Sequence, residues 1–378
     1  MSIEKTKASR GWTSFTGLFI IGYHLGLLVG LPFYFWLHPP GVPLIVVSVA
    51  VLFLTQLGIC AAYHRFYAHR GYSLHPAAEG VLLFFATMAL QGSALRWAFD
   101  HRFHHSYTDT DRDPYSITRG FWHAHVLWLF EPAREIDPRH VKDLTRNPLV
   151  MFQHRHYGAV AAVANLSVVA LVGWLVGDWI GALVLTGWTR LGISHHLTWF
   201  INSLAHCWGE RTYSREHSAV DNHLLALLTV GEGYHNYHHT FPSDYRNGVR
   251  WYHFDPAKWT IWTLHKVGLA SNLRRHSQHA IRERLLVEDR KLLLDKLDSG
   301  VWATRREELE EAIHHLSEVI QAKLARLNEL RGDLAERSGG RAAHQAIRRE
   351  MRRIKADLRE DWRSWFELCG TVLEASPA

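Results

Sequence analysis

Cysteine is scarce in this chain, with three residues among 378, and Cys60, Cys207 and Cys369 lie far apart. The odd count and the lack of a CxxC pair argue against a disulfide framework, so we expect a reducing, cytoplasm-facing environment. The HExxH motif of zinc proteases and the GxGxxG fingerprint of dinucleotide-binding domains are also missing. Charge is nearly missing from several long stretches, and these stretches are the strongest guide to the fold.

The stretches of low charge predict membrane-spanning helices, because about 20 apolar residues are enough to cross a bilayer. Buried helices of a large soluble protein are the alternative, but they seldom contain uncharged runs of this length. A further apolar segment, 77–95, is interrupted by Glu79, Gly80 and Gln91, and we expect it to dip into the membrane or lie along its interface. The four predicted spans cover residues 13–37, 42–62, 158–177 and 179–200.

Loop charge predicts the orientation of these spans. The tail 1–12 carries Lys5, Lys7 and Arg10 and has no signal-cleavage pattern, whereas the connectors near residues 40 and 178 carry no Lys or Arg. By the positive-inside rule, the tail and the long segments lie in the cytoplasm. The sequence therefore predicts an all-α, multi-pass membrane domain over 13–275, with a cytoplasmic helical cap.

The last hundred residues differ in character from the rest. Residues 280–378 are charged, with leucines at helical spacing, and the Gly339–Gly340 pair interrupts the pattern. This predicts a helical, partly coiled-coil cytoplasmic extension, which either packs as a solvated hairpin or serves in docking or oligomerisation. The net charge of +6 could suggest nucleic acid, but the extension has few aromatic residues for base stacking, so no nucleic-acid partner is predicted.

Histidine is unusually abundant, with 28 residues. Three clusters, HRFYAHR (64–70), HRFHH (101–105) and HNYHH (235–239), and the element NSLAH (202–206) follow or flank the hydrophobic segments. Residues at i, i+3 and i+4 share a helix face, so the second and third clusters each point several imidazoles in one direction. His64 and His69, five residues apart, do not share an α-helical face, so we expect them near a helix end.

Together these elements supply nine imidazoles on the predicted cytoplasmic side. One metal rarely takes more than six ligands, so nine imidazoles fit two metals with room for other molecules. Imidazole binds iron, zinc, copper and nickel, and ligand type alone leaves the metal open. A membrane metal sensor or transporter is an alternative, although it would place ligands along a path through the spans. Arg190 and His195 are the only hints of such a path.

The order HxxxxH, HxxHH, NSxAH, HNxHH resembles the integral-membrane acyl desaturases. The stretches WFINSLAHCWGERTYS (199–214) and VGEGYHNYHHTFPSDYRNG (230–248) are similar to the stearoyl-CoA desaturase branch beyond the histidines. The resemblance covers residues 10–275. It implies a cis double bond, at the delta-9 position in that branch, introduced into a saturated acyl chain with O2 and electrons from a separate donor. A membrane hydroxylase of lipid or alkane chains is the alternative with the same histidine chemistry.

The resemblance also implies the roles of individual residues. Two iron ions would be held by nine histidines, with Asn202 reaching one iron through a water, while Gln91, Trp97 and Thr198 would line a kink in the acyl tunnel. The implied ligands are His64, His69, His101, His104, His105, His206, His235, His238 and His239.

One segment departs from the family pattern. Animal members carry an Arg-Lys pair after HVGWL that holds coenzyme A, whereas this chain has HVLWLF followed by Glu131, Pro132 and Ala133. Acyl-CoA is the favoured substrate form, and acyl carrier protein and intact lipid stay open. No haem, flavin or iron–sulfur motif is found, so we expect an external ferredoxin-like or haem carrier as donor. The expected location is a bacterial inner membrane.

Overall fold

The computed structural model describes residues 15–298, 302–335 and 341–374. These residues form two compact units, the first comprising residues up to 211 together with 216–275, and the second comprising 212–215 together with the chain from 276 onward. The predicted membrane domain, 13–275, therefore loses the short segment 212–215 to the second unit. The tail 1–12 and the Gly339–Gly340 pair lie outside the described residues.

Both units are mainly helical, which confirms the predicted helical class. The first unit also contains a two-stranded antiparallel ladder, β1 (Ser73–Leu74) with β2 (Ala270–Ser271). The helices are α1 (Phe15–Leu37), α2 (Val42–Gly58, continued by a π-helical segment Ile59–Ala68), α3 (Pro76–Thr87), α4 (Ala94–Tyr107), α5 (Phe121–His125), α6 (Pro148–Arg155), α7 (Tyr157–Val176), α8 (Trp179–Gly181, continued by a π-helical segment Ala182–Thr189), α9 (Arg190–Ser203), α10 (His223–Leu228), α11 (His235–Thr240), α12 (Pro256–Lys266), α13 (Gln278–Leu297), α14 (Arg306–Ala335) and α15 (Arg341–Glu374). Short 3₁₀ turns occupy Ile117–Arg119, Leu127–Phe130, Leu144–Arg146 and Leu204–His206.

Among the described residues, three helices are long and apolar enough to cross a membrane. They cover Phe15–Leu37, Val42–Ala68 and Tyr157–Val176. The fourth predicted span corresponds to the continuous helical stretch from Trp179 to Ser203, but it does not reach the same hydropathy. Its second half carries Arg190, His195 and His196, and such polar side chains lower the mean hydropathy of a segment that is otherwise long enough.

The segment predicted to lie at the interface forms two helices instead of one. α3 ends at Thr87, and a turn with positive φ at Leu90 and Gly92 precedes α4. α3 packs closely against α2, since a Cβ atom placed on Gly58 would lie 2.5 Å from the backbone nitrogen of Ala86. Glycine at position 58 therefore allows the two helices to approach, which fixes the start of α4 near the end of α2.

The second unit consists mainly of α13, α14 and α15, packed around a core of its own. The leucine spacing noted in the sequence places one face of each helix in this core, as expected for amphipathic helices. The Nε1 group of Trp365 donates to Asp289 at 3.4 Å, which ties α15 to α13. The fully buried side chains of this core include Leu286, Leu293, Ile313, Ile320 and Trp365.

Candidate metal centre

The first histidine pair lies at the end of the π-helical continuation of α2. The backbone N–H of His69 donates to the carbonyl of His64 at 3.1 Å, a bond between residues five apart. This i to i+5 pattern defines a π-helical turn. It brings the two imidazoles to a ring separation of 4.8 Å. An α-helix of 3.6 residues per turn would have separated them around the helix, which is why the sequence reasoning saw no shared face.

The second cluster lies on α4. His101, His104 and His105 occupy one side of this helix at the spacing that the sequence predicted. The hydroxyl of Ser93 accepts from the backbone N–H of Arg96 at 3.3 Å and thereby caps the helix start. Arg102, on the other side, donates to the carbonyl of Ala68 at 2.9 Å and pairs with Asp143 at 2.8 Å. Arg102 thus holds the end of the π-helical segment against α4.

The third cluster lies on the short helix α11. Asp221 accepts hydrogen bonds from the backbone N–H groups of Asn236 and Tyr237, at 2.9 and 3.1 Å, and so satisfies two free donors of the first turn. His235, His238 and His239 follow from this fixed start. His206 arrives from the 3₁₀ turn that ends α9.

The nine predicted ligands separate into two groups, whose ligand atoms lie within 4.8 Å of one another in each group. In the first group, the Nε2 atoms of His64 and His238 are 2.9 Å apart, and those of His69 and His101 are 2.8 Å apart. In the second group, the Nε2 atom of His235 lies 3.1 Å from those of both His206 and His239. The groups are His64, His69, His101, His105 and His238, and His104, His206, His235 and His239.

Most of these rings have a lowered pKa, which favours the neutral form that binds a metal. Burial lowers the pKa of His69, His101 and His105 well below the usual value, and neighbouring imidazoles lower it further. The same causes, in the same order, lower the pKa of His238 and His239. Neutral imidazole is the form that binds metals, so this donor set fits two metal ions.

Carboxylates and hydroxyls orient the rings from behind. The Nδ1 atom of His64 lies 2.7 Å from Glu232, and that of His104 lies 2.8 Å from Asp113. The Nδ1 atom of His206 lies 2.7 Å from the Ser218 hydroxyl. A partner on the far nitrogen fixes the tautomer that leaves Nε2 free for a metal. The sequence reasoning missed Glu232, Asp113 and Ser218, although Glu232 falls within the quoted GEGYHNYHH stretch.

Glu232 also belongs to a buried ion-pair network. Arg65 contacts Glu232 at 2.9 Å and Asp255 at 3.0 Å, and all three side chains are almost fully buried. Burial alone would raise the pKa of Glu232, but His64 and Arg65 outweigh it and lower the pKa to about 2. The side-chain N–H of Asn247 donates to the second carboxylate oxygen at 2.8 Å. Glu232 is therefore held as an ion in one orientation.

The three predicted tunnel residues form a hydrogen-bonded chain. Trp97 Nε1 donates to Gln91 Oε1 at 3.2 Å, and Gln91 Nε2 donates to the Thr198 hydroxyl at 2.9 Å. The Trp97 ring stacks on His101 with a centroid separation of 4.8 Å. The chain thus lies directly beside the first imidazole group. Asn202 is half-buried in the last turn of α9, and its water-mediated contact with a metal stays a prediction.

The segment that departs from the family pattern is partly exposed. Glu131 pairs with Arg119 at 2.5 Å, and its second contact is His123 at 3.8 Å. The Glu131 carboxylate neutralises the charge of Arg119, whereas the Arg-Lys pair of the animal family members adds positive charge. Residues 131–133 themselves therefore supply no cation that could bind a phosphate.

The sequence profile of the family described as fatty acid desaturase matches residues 38–270. The chain belongs to this family. That finding confirms the resemblance inferred from the histidine clusters, and the matched region contains all nine histidines of the two groups.

Curated relatives bear related names. The chain is 39% identical over 277 residues to a probable acyl-CoA desaturase of Schizosaccharomyces pombe, covering 71% of this chain and 58% of the relative. It is 37% identical over 289 residues to acyl-CoA desaturase 1 of Saccharomyces cerevisiae, covering 76% and 55%. A sn-1 stearoyl-lipid 9-desaturase of Anabaena variabilis is 32% identical over 272 residues, covering 71% and 96%. The chain thus spans little more than half the length of the two yeast relatives.

Proposed function

We propose that this protein is an oxygen-dependent, di-iron fatty acyl desaturase that introduces a cis double bond, at the delta-9 position, into a saturated acyl chain. The observation that carries the proposal is the separation of nine buried or half-buried imidazoles into two groups, each with its ligand atoms within 4.8 Å. Two irons bound there would supply, with O2, the oxidant that side chains cannot provide for an unactivated methylene.

The two groups would hold one iron each, with Asn202 reaching an iron through a water. The chain's own contribution is orientation, since Glu232 and Asp113 fix the rings of His64 and His104 through their Nδ1 atoms. A carboxylate at Nδ1 also makes the ring a stronger donor to a metal at Nε2. The family match and the enclosure of the rings support this assignment.

The hydrogen-bonded chain of Gln91, Trp97 and Thr198 would position the substrate. It lies beside the first imidazole group through the stacking of Trp97 on His101. Holding one carbon pair near the metals selects the position of the double bond, because orientation alone can change a rate by several orders of magnitude. We infer that this chain lines the bend of the acyl tunnel.

The favoured substrate is an acyl-CoA, as the names of the yeast relatives state for those proteins. The cyanobacterial relative is named for a stearoyl-lipid, and Glu131 stands where a phosphate-binding cation is expected. Acyl carrier protein and intact lipid therefore stay as alternatives to be tested.

The electron balance requires a partner. Removing two hydrogens releases two electrons, whereas reduction of O2 to two waters takes four electrons and four protons. Two further electrons and two protons must come from outside the substrate, so we propose an external ferredoxin-like or haem carrier. A cytoplasmic position of the centre, with Trp179–Ser203 as a fourth span of a bacterial inner membrane protein, would make the centre accessible to it.

The test is lipid analysis of a desaturase-deficient host that expresses the wild type or a His235→Ala, His239→Ala variant. We expect new cis-monounsaturated fatty acids with the wild type alone. His315→Ala, an exposed histidine of the second unit, is the matched control and should retain activity. Hydroxylated chains in place of alkenes would assign the protein to the hydroxylases. Equal products from wild type and double variant would contradict the site.

A further inference from the structure

The beginning of α15 carries an unusual concentration of positive charge. Between residues 341 and 355 the chain has six Lys or Arg side chains and only one acidic residue, Glu350. Glu350 is already paired with Arg326 of α14 at 2.9 Å. Of the six cations, Arg348, Arg349, Arg352, Arg353 and Lys355 lie close together on α15, and all five are exposed and form no ion pair with another described residue. We refer to these five residues as the basic surface.

The spacing of the basic surface fits a flat anionic partner. At 3.6 residues per turn, positions 348, 349, 352, 353 and 355 occupy a broad sector that spans roughly half of the helix circumference. Burial of Met351 and Leu358 places the opposite side of the helix in the core. A single phosphate would need cations that converge on one point, whereas these cations spread over a surface.

A groove with two apolar side chains adjoins the cations. It has a volume of about 640 Å³ and lies between α14 and α15, lined by Leu334 and Met351 together with Arg348, Arg352 and Lys355. Apolar and cationic side chains side by side match a lipid, whose phosphate adjoins hydrocarbon. Residues 341–355 contain no Phe, Trp or Tyr, and their absence disfavours single-stranded nucleic acid, which binds by base stacking.

A direct chain connection joins this unit to the first unit. The second unit resumes at residue 276 immediately after the first unit ends at 275, and the first unit contains the three helices suited to spanning a bilayer. Arg331 of α14 lies 3.5 Å from His279 in the first turn of α13, so the α14–α15 hairpin end is at the same end of the unit as this connection. Because the C-terminal unit is tethered directly to a unit that lies in a bilayer, the effective concentration of lipid around it is high.

We propose that the basic surface of the C-terminal helical unit binds the anionic headgroups of the bilayer in which the first unit is embedded. Each Lys or Arg near an anionic leaflet adds to the attraction, and the attraction decays within a Debye length. This interaction does not depend on the proposed enzymatic activity.

The test uses the full chain in nanodiscs, with a fluorophore at Ala346→Cys in a Cys207→Ser, Cys369→Ser background and nitroxide-bearing lipid as quencher. With phosphatidylglycerol present, we expect quenching at low salt that disappears at high salt, and little quenching in phosphatidylcholine alone. The Arg349→Glu, Arg353→Glu variant should lower the ratio of lipid-bound to free C-terminal unit at least about tenfold.

The matched control is Arg359→Glu with Arg363→Glu. It makes the same charge change on exposed positions of the same helix, where Asp357, Glu360 and Asp361 already balance the cations. The control should keep most of the quenching. Equal quenching in both lipids, or an equal loss in both variants, would overturn the proposal. The proposal would also be overturned if lipid did not quench the fluorophore but an added acidic protein shielded it from solvent, because the partner would then be a protein.

Discussion

The two ring nitrogens of His64 face different partners: Nδ1 contacts Glu232, and Nε2 faces the other imidazoles of the first group. Its Nδ1 lies 2.7 Å from a Glu232 carboxylate oxygen, while its Nε2 lies 2.9 Å from Nε2 of His238. The same arrangement recurs at His104, where Asp113 lies behind the ring. Each group thus has one carboxylate that orients a ligand, and this makes the two groups separately testable.

Glu232→Gln should weaken metal binding in the first group roughly 10- to 100-fold, because the ring of His64 loses its charged partner. Chelator competition followed by metal analysis of the purified protein measures this directly and does not require activity. Glu79→Gln is the control, since Glu79 is a buried carboxylate bonded to Tyr67 and Asn147, at 2.9 and 2.6 Å, away from both groups. Equal metal retention in the two variants would refute the role of Glu232.

Asp113→Asn should act on the second group in the same way. Asp113 contacts Nδ1 of His104, which belongs to that group and not to the group of His64. We therefore expect each single variant to lose about one of two metals under mild chelation, and the Glu232→Gln, Asp113→Asn double variant to lose both. Simultaneous loss of both metals in each single variant would show that the groups do not bind independently.

Thr198→Ala should change where the double bond forms more than whether metal is bound. The variant removes the acceptor of Gln91 Nε2, which then has no fixed orientation beside Trp97. We expect a lower rate and a mixture of double-bond positions, read from mass spectra of derivatised fatty acids. Metal content should equal that of the wild type. A single unchanged product at the wild-type rate would exclude Thr198 from substrate positioning.

Gly58→Ala should destabilise the first unit by roughly 1–3 kcal/mol, since the added methyl would overlap the backbone of α3 at Ala86. Gly80→Ala is the matched control, because nothing lies within 4 Å of a Cβ at that helical position. Alanine there should be neutral or stabilising, owing to its higher helix propensity. The temperature at which half of the detergent-solubilised protein loses its monodisperse chromatographic peak distinguishes the two.

Much of the site could be predicted from the sequence because short-range helical spacing determines it. His101, His104 and His105 share a face of α4 for that reason, although His104 belongs to a different imidazole group from the other two. The pairing of His64 with His69 depends on a π-helical turn, which no α-helical periodicity reveals. The roles of Glu232 and Asp113 depend on contacts over long sequence separations, such as the 168 positions between His64 and Glu232, and one sequence shows no such contacts.

The fold could be predicted less completely. Uncharged runs located α1, α2 and α7, whereas the stretch from Trp179 to Ser203 reads as a span by length but not by hydropathy. Arg190 explains the difference, since its side chain donates to the carbonyls of Thr186 and Met88 inside the helix bundle, at 2.6 and 3.1 Å. A polar side chain with such partners lowers hydropathy without exposing charge to lipid.

Whether the two imidazole groups hold two irons can be measured by counting metals in the full chain purified from an iron-replete host. We expect two irons per chain in the wild type, and a loss of both in a variant that combines His101→Ala from the first group with His235→Ala from the second. The His315→Ala control should keep two. A wild-type protein with no iron, or with two irons retained after both substitutions, would contradict this expectation.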